Sequence, residues 1–359
     1  MIRALLSGDY PRSRLVAAIL IAIVLALLLA PFVFPGARSL SVAAKVLVFV
    51  LLVASYDLLL GYTGIVSFAH TMFFGIGAYG VAIASTRMGP GWDAIGAGLL
   101  LALALSALLA LAIGLFSLRV RAIFFAMITL AVAAAFQTLA SQLSEFTGGE
   151  DGLSFRVPEV LQPSFELFDG ETVLGASIDG RFLTYYLVFF SVLALFLVLL
   201  RIVNSPFGRV LQAIRENDFR AEAIGYRTVV FRTVSTVLGA LFATVAGALL
   251  AIWLRYNGPD TSLSFEIMLD ILLIVVIGGM GTMYGAVIGS ALFVLAQSYL
   301  QDLMGLVSAA LEPVPVAAAL FSPDRWLLWL GLLFVLSVYY FPSGIVGRLR
   351  ARAIARSVR

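Results

Sequence analysis

The sequence predicts an all-α polytopic membrane protein of about ten transmembrane helices, on three observations. The first is composition: 62% of the 359 residues are hydrophobic and 12% charged, against roughly half and about a quarter in soluble domains. The mean hydropathy of +1.07 agrees. The second is length, since apolar runs close to the thickness of a bilayer's hydrocarbon core recur along the whole chain. The third is the sorting of basic residues into alternate connections.

Apolar windows place spans near 15–34, 41–60, 65–86, 94–118, 122–143, 182–201, 233–254, 266–283, 284–304 and 325–342. The first follows Arg3, Arg12 and Arg14, as a signal peptide would. It is longer than a signal core and has no small-x-small cleavage pattern after it, so it reads as a retained span that ends at Pro31 and Phe34-Pro35-Gly36. The stretches 61–80 and 266–290 carry too much glycine for plain helices.

With the N-terminus inside, the inner connections hold Arg3, Arg12, Arg14, Arg119, Arg121, six arginines from Arg201 to Arg232, and five from Arg348 to Arg359. The outer ones hold Arg38, Arg87, Arg156, Arg181, Arg255 and Arg325, and Lys45 lies within a span. Sixteen against six is the positive-inside pattern, and a miscounted span would scramble it. Both termini and 202–232 are therefore expected in the cytoplasm, with the acidic loop 144–181 outside.

Four segments are candidates for function. The inner segment 201–232 begins a helix at Ser205-Pro206, a capping side chain followed by proline at the first helical position. Phe207, Val210, Leu211 and Ile214 form one face, with Arg209, Gln212, Arg215 and Glu216 opposite. After Asn217, Asp218 can cap a second short helix that contains Glu222 and that Gly225 ends. Two amphipathic helices below a membrane domain form a docking knob, or else an ordinary basic loop with a solvated face.

The second segment, GYTGIVSFAHTMFFGIGAYG (61–80), sets Gly61, Gly64, Gly75, Gly77 and Gly80 among apolar residues with Ser67 and His70. Such glycines allow either close helix packing or broken helices that line a cavity. Ionisable residues within spans are Lys45, Asp57 and His70; for His70 alone, helix packing with an interfacial histidine is the favoured reading. The third segment, GGMGTMYGAVIG (278–289), repeats this style with Gly278, Gly279 and Gly281. The fourth, TGGEDG, places Thr147, Gly148 and Gly149 beside two carboxylates, as a turn at a pathway mouth or a plain turn. Glu266 and Asp270 lie one turn apart, where they can meet a cation or sit at the interface.

Several chemistries are excluded. There is no cysteine, and one histidine cannot build a multi-histidine metal site. A Walker-type loop needs G-x-x-x-x-G-K-[ST], and the one lysine, Lys45, follows Ala44. No zincin motif, nucleophile elbow or carboxylate pair occurs within the spans. The chain is expected to be no enzyme and to have no nucleic-acid partner.

Taken together, GYTGIVSFAHTMFFGIGAYG, LRVRAIFFAMITLA (118–131), TGGEDGL, SPFGRVLQAIRENDFRAEAIGY, IGGMGTMYGAVIGSAL (277–292) and FPSGIVG (341–347) resemble the permease subunits of bacterial ABC importers for branched-chain amino acids, in their LivM-like branch. The likeness runs over roughly 40–345 and implies a single transmembrane permease domain over 1–359 with the ten-helix importer architecture, in the bacterial inner membrane. It implies a LivH-like second permease, two cytoplasmic ATP-binding subunits that carry ATP and magnesium, an extracytoplasmic binding protein, and no cofactor on this chain. The loop 202–232 would couple to an ATPase through Pro206, Phe207, Arg209, Ile214, Arg215, Glu216, Asn217, Glu222 and Gly225. The glycine segments, with Ser67, His70 and Thr147, would line the pathway. The importer EAA-type signature is matched loosely, by Ala221-Glu222-Ala223 and Gly225. Related permeases carry urea, amides or aromatic acids, and a stand-alone secondary carrier is the other alternative.

Overall fold

The computed structural model describes residues 13–34, 36–116, 122–166, 172–173, 176–310, 320–341 and 344–349. Of the expectations above, those placed on Arg3, Arg12, Arg119, Arg121, Arg350, Arg352, Arg356 and Arg359 lie outside the described residues.

Each span expected from the windows contains a helix, and the windows 65–86 and 266–283 also include a non-helical break. In chain order the helices are α1 (Arg14–Val33), α2 (Ala37–Thr63), α3 (His70–Met88), α4 (Trp92–Phe116), α5 (Ala122–Gln142) and α6 (Gly180–Asn204). Two short helices follow, α7 (Pro206–Glu216) and α8 (Asp218–Ala223), and then α9 (Thr228–Leu254), α10 (Phe265–Gly278), α11 (Met283–Ala310) and α12 (Trp326–Tyr340). Among the described residues, nine stretches are long and apolar enough to cross a membrane, counting the turns that flank α10 and α12. The exception is α3, whose His70, Thr71, Ser85, Thr86 and Arg87 lower its hydropathy. It needs little contact with lipid, because it packs between α9 and α4 and is buried along most of its length.

The core is α2, wrapped by α1, α6, α9, α10 and α11. Its most apolar window is 89% buried, against 12% for the last span, as expected of a helix apolar all round. Outer helices turn Leu101, Ile123 and Leu327 outward, which suits contact with acyl chains. Association of helices in lipid rests on close packing, since burial there gains no hydrophobic driving force. The α3–α9 contact shows how small residues achieve it. A Cβ at Gly77 would stand 1.8 Å from the Thr244 carbonyl oxygen, and one at Gly247 would stand 1.8 Å from that of Phe74.

Opposite ends of the bundle are finished differently. At the end where α6 begins, β1 (Leu153–Ser154) pairs antiparallel with β4 (Tyr256–Asn257), and a small hairpin joins β2 (Thr172–Val173) to β3 (Ala176–Ser177). At the other end, α7 and α8 lie beneath the termini of α2, α6 and α9.

Candidate functional site

Both glycine-rich stretches break their helices, and the two breaks meet. The helix α2 stops at Thr63 with Gly64 in the left-handed conformation (φ 73°), and α3 starts at His70, seven residues later. Between α10 and α11 the chain passes through Gly279 (φ 114°) and Gly281 (φ 79°). Backbone groups freed at such breaks need partners when buried. Asp57, buried in the last turns of α2, accepts a 2.8 Å hydrogen bond from the Gly281 N–H. Gly61 lies one turn on, and the absence of its side chain allows this approach: a Cβ there would be 2.0 Å from Asp57 Oδ1 and 2.3 Å from Gly281 N.

A third element reaches the same point. Arg215, near the end of α7, donates from Nη1 to the carbonyl oxygen of Gly61. Its Cγ lies 3.3 Å from the place a Cβ would take on Gly64, and its Nη1 lies 2.9 Å from that place on Gly281. The segment 344–349 closes the junction, because a Cβ on Gly344 would be 2.2 Å from the Gly279 Cα. Asp57, Gly61, Gly64, Arg215, Gly279, Gly281 and Gly344 thus gather from four separate segments.

The amphipathic helix α7 is seated by the apolar stripe that its spacing predicts. Val210, Leu211 and Ile214 are buried, and Phe207 stacks on Phe231 at 5.6 Å. Pro206 stands at its first turn, but the Ser205 hydroxyl turns back to the Ile202 carbonyl at 2.6 Å and does not cap it. The cap of α8 falls one residue earlier than the sequence suggests. Asn217 accepts from the Arg220 N–H at 2.9 Å, which leaves Asp218 free to pair with Arg232 at 2.9 Å. Glu222 accepts from the Thr228 hydroxyl at 2.6 Å, and Gly225 (φ 96°) ends the pair of helices. Arg209 and Glu216 are exposed. Arg215 is exposed as well, and its guanidinium also reaches the carbonyl oxygen of Gly61 at the end of α2. Sequence reasoning passed over Phe219 and Ile224, which are 87% and 67% exposed on and after α8. The signal was an aromatic residue inside a charged six-residue helix, where nothing apolar faces it.

The remaining candidates sit elsewhere. His70 is buried at the start of α3, 2.8 Å from the Ser55 hydroxyl and edge-on to Tyr56. Ser67 is buried and accepts from the Ala69 N–H at 3.3 Å. Gly75 faces the Leu263 side chain and Gly77 the α9 backbone. Gly278 meets the backbone of Gly285. At the opposite end Thr147 donates to the Ala140 carbonyl at 2.6 Å, and Gly148 and Gly149 both take positive φ. The TGGEDG turn is fastened to the start of β4 by the Tyr256 hydroxyl, which donates to the Asp151 carbonyl at 3.0 Å. The candidates therefore form two groups at opposite ends of the bundle, plus a set of packing glycines between them. Among the described residues no cluster of three metal-ligating side chains occurs.

Comparison with known proteins agrees with this architecture. The family model described as "Branched-chain amino acid transport system / permease component" matches residues 38–338. The high-affinity branched-chain amino acid permease protein LivM of Salmonella typhimurium is 26% identical over 334 residues, covering 89% of this chain and 72% of the relative. The high-affinity branched-chain amino acid transport system permease protein BraD of Pseudomonas aeruginosa is 26% identical over 310 residues, 84% of this chain and 92% of the relative. The LivH protein of Escherichia coli, also named a permease of that system, is 26% identical over 311 residues, 84% and 91%. No solved structure matches. With the family match extending over most of its length, the chain belongs to the permease component family of branched-chain amino acid transport systems.

Proposed function

We infer that the chain is the transmembrane permease subunit of an ATP-binding-cassette importer and forms half of a translocation pathway for branched-chain, hydrophobic amino acids. Similarity to relatives named LivM and LivH alike supports a pair of related permeases as the complete pathway. Two ATP-binding subunits would hold the nucleotide and its magnesium on the cytoplasmic side, and a binding protein would deliver substrate at the opposite face. Charge sorting supports both termini and 202–232 on the cytoplasmic face of the bacterial inner membrane, and 144–181 outside.

The observation that carries the reading is the junction. An exposed amphipathic pair, α7–α8, is bonded through Arg215 to the place where two broken spans meet. A partner that shifts α7 moves the end of α2 and the α10–α11 break with it, because packed interfaces transmit displacement with little compression. That is the linkage an importer needs between ATP-driven motion and a gate.

Reconstitution tests this. The chain, its second permease, the two ATPases and the binding protein should accumulate leucine only with ATP, and an ATPase-inactive partner should abolish uptake. Uptake by this chain alone, driven by a proton or sodium gradient, would overturn the importer reading. Preference for urea, an amide or an aromatic acid over leucine would change the cargo and leave the mechanism.

A further inference from the structure

Near the outer ends of α2 and α10, about 24 Å along α2 from Gly61 at 1.5 Å per residue, lies a second feature unrelated to the junction. It is a cavity of about 470 Å³ between α2, α9, α10 and α11, within the ~300–1,000 Å³ range of small-molecule sites. The charged residues Arg38, Lys45, Asp260, Glu266 and Asp270 line it together with the apolar Phe49, Leu250 and Trp253. A cavity of 520 Å³ between α1, α2 and α6 is almost wholly apolar, so size does not single this one out; the arrangement of charge does.

Lys45 and Asp270 do not touch. Gln297 of α11 stands between them, its Oε1 accepting from Lys45 Nζ at 2.8 Å and its Nε2 donating to Asp270 Oδ2 at 3.3 Å. Among the described residues no carboxylate lies within ion-pair distance of Lys45, whose other neighbour is the face of Phe49, 5.5 Å away. Arg38 at the rim is engaged by Asp302 at 2.7 Å. The carboxamide thus presents an acceptor to a cation and a donor to an anion. An α-amino acid has that polarity with full charges: a carboxylate for the lysine and an ammonium for the aspartate. Each Gln297 bond has an ion on one side only, whereas a zwitterion sets a full opposite charge against each ion and adds Coulomb attraction, so it can displace Gln297 from both partners. Its side chain then falls toward Phe49, Leu250 and Trp253.

We propose that this cavity is a transit site for a zwitterionic amino acid with an aliphatic side chain, held by Lys45 through the carboxylate and by Asp270 through the ammonium, with Gln297 occupying the site when it is empty. The proposal rests on the importer reading and adds to it the place where cargo first contacts the permease. A site of this kind binds weakly enough to release its cargo inward. Burying both charges against opposite partners lets the zwitterion leave water without an unpaired charge.

The chain has no cysteine, so a Thr261→Cys variant carries a single thiol at the cavity lining. In the reconstituted importer, leucine should slow maleimide labelling of that thiol several-fold. The decarboxylated analogue 3-methylbutylamine and the deaminated analogue 4-methylpentanoate should not, and glycine, with both charges and no side chain, should protect less than leucine. Adding Lys45→Gln or Asp270→Asn, on different helices, should abolish protection by leucine, while Lys45→Arg, which keeps the cation, should retain it and so separate charge from folding. Uptake measured on the same preparation separates the two readings. Leucine uptake without protection, or equal protection by a one-charge analogue, overturns the site and leaves the importer. Absence of ATP-driven uptake of leucine and of urea, amides and aromatic acids alike overturns the importer reading and the site with it.

Discussion

A methyl group on Gly61 would stand 2.3 Å from the backbone nitrogen of Gly281, a distance that only backbone movement can relieve. Overpacking of this kind costs about 1–3 kcal/mol. Gly61→Ala should therefore lower the thermal unfolding midpoint of the purified chain, whereas Gly96→Ala, with nothing within 4 Å of the added carbon, should leave it unchanged or raise it. Asp57 makes a graded test of the same junction. Asp57→Asn keeps an oxygen for the Gly281 N–H and should unfold close to the parent. Asp57→Ala leaves that N–H unpaired, at a cost of about 1–3 kcal/mol, and should unfold at a distinctly lower temperature. Equal midpoints for the two variants would mean that water supplies the missing acceptor. His70 stands in contrast as a buried ionisable group, bonded to the Ser55 side chain and edge-on to Tyr56.

On the scale of the element, α7 and α8 combine two properties that different variants can separate. Phe219 and Ile224 are exposed apolar groups on a charged surface, and aromatic anchors of this kind dominate binding at interfaces. Arg215 faces the membrane domain. Phe219→Ser should insert normally yet lose co-purification with the ATPase. Arg215→Ala should keep co-purification and lose substrate-stimulated ATP hydrolysis, because the contact remains while its link to the breaks is gone. Loss of co-purification in Arg215→Ala with Phe219→Ser unaffected would reverse these roles. Part of this element was legible. Ser205-Pro206 and the spacing of Val210, Leu211 and Ile214 marked the helix and its buried face, since both are local signals. The exchange of Asn217 for Asp218 as the cap was not legible, because Arg232, which takes Asp218, lies on the next helix.

For the whole molecule, the decisive question is sidedness. Single cysteines replacing Asn217 and Asp151, both exposed and at opposite ends of the bundle, should differ in intact cells. An impermeant thiol reagent should label position 151 and spare position 217, and labelling of position 217 would reverse the topology. The sequence by itself determined the order of the apolar helices, the sorting of basic residues along the chain and the two stretches too rich in glycine for plain helices, leaving open whether these break or pack closely. The first two follow from the cost of exposing polar backbone and charge to a hydrocarbon layer of fixed thickness, and that cost acts on every stretch of chain independently. Only the tertiary structure decided which distant residues meet. Asp57 is bonded 224 positions away to Gly281 and Lys45 252 positions away to Gln297, and Gly344 closes on Gly279. These pairings depend on how helices cross and how closely their backbones approach, and in lipid that is set by complementary surfaces of small residues on separate helices, a property that no single stretch of sequence contains.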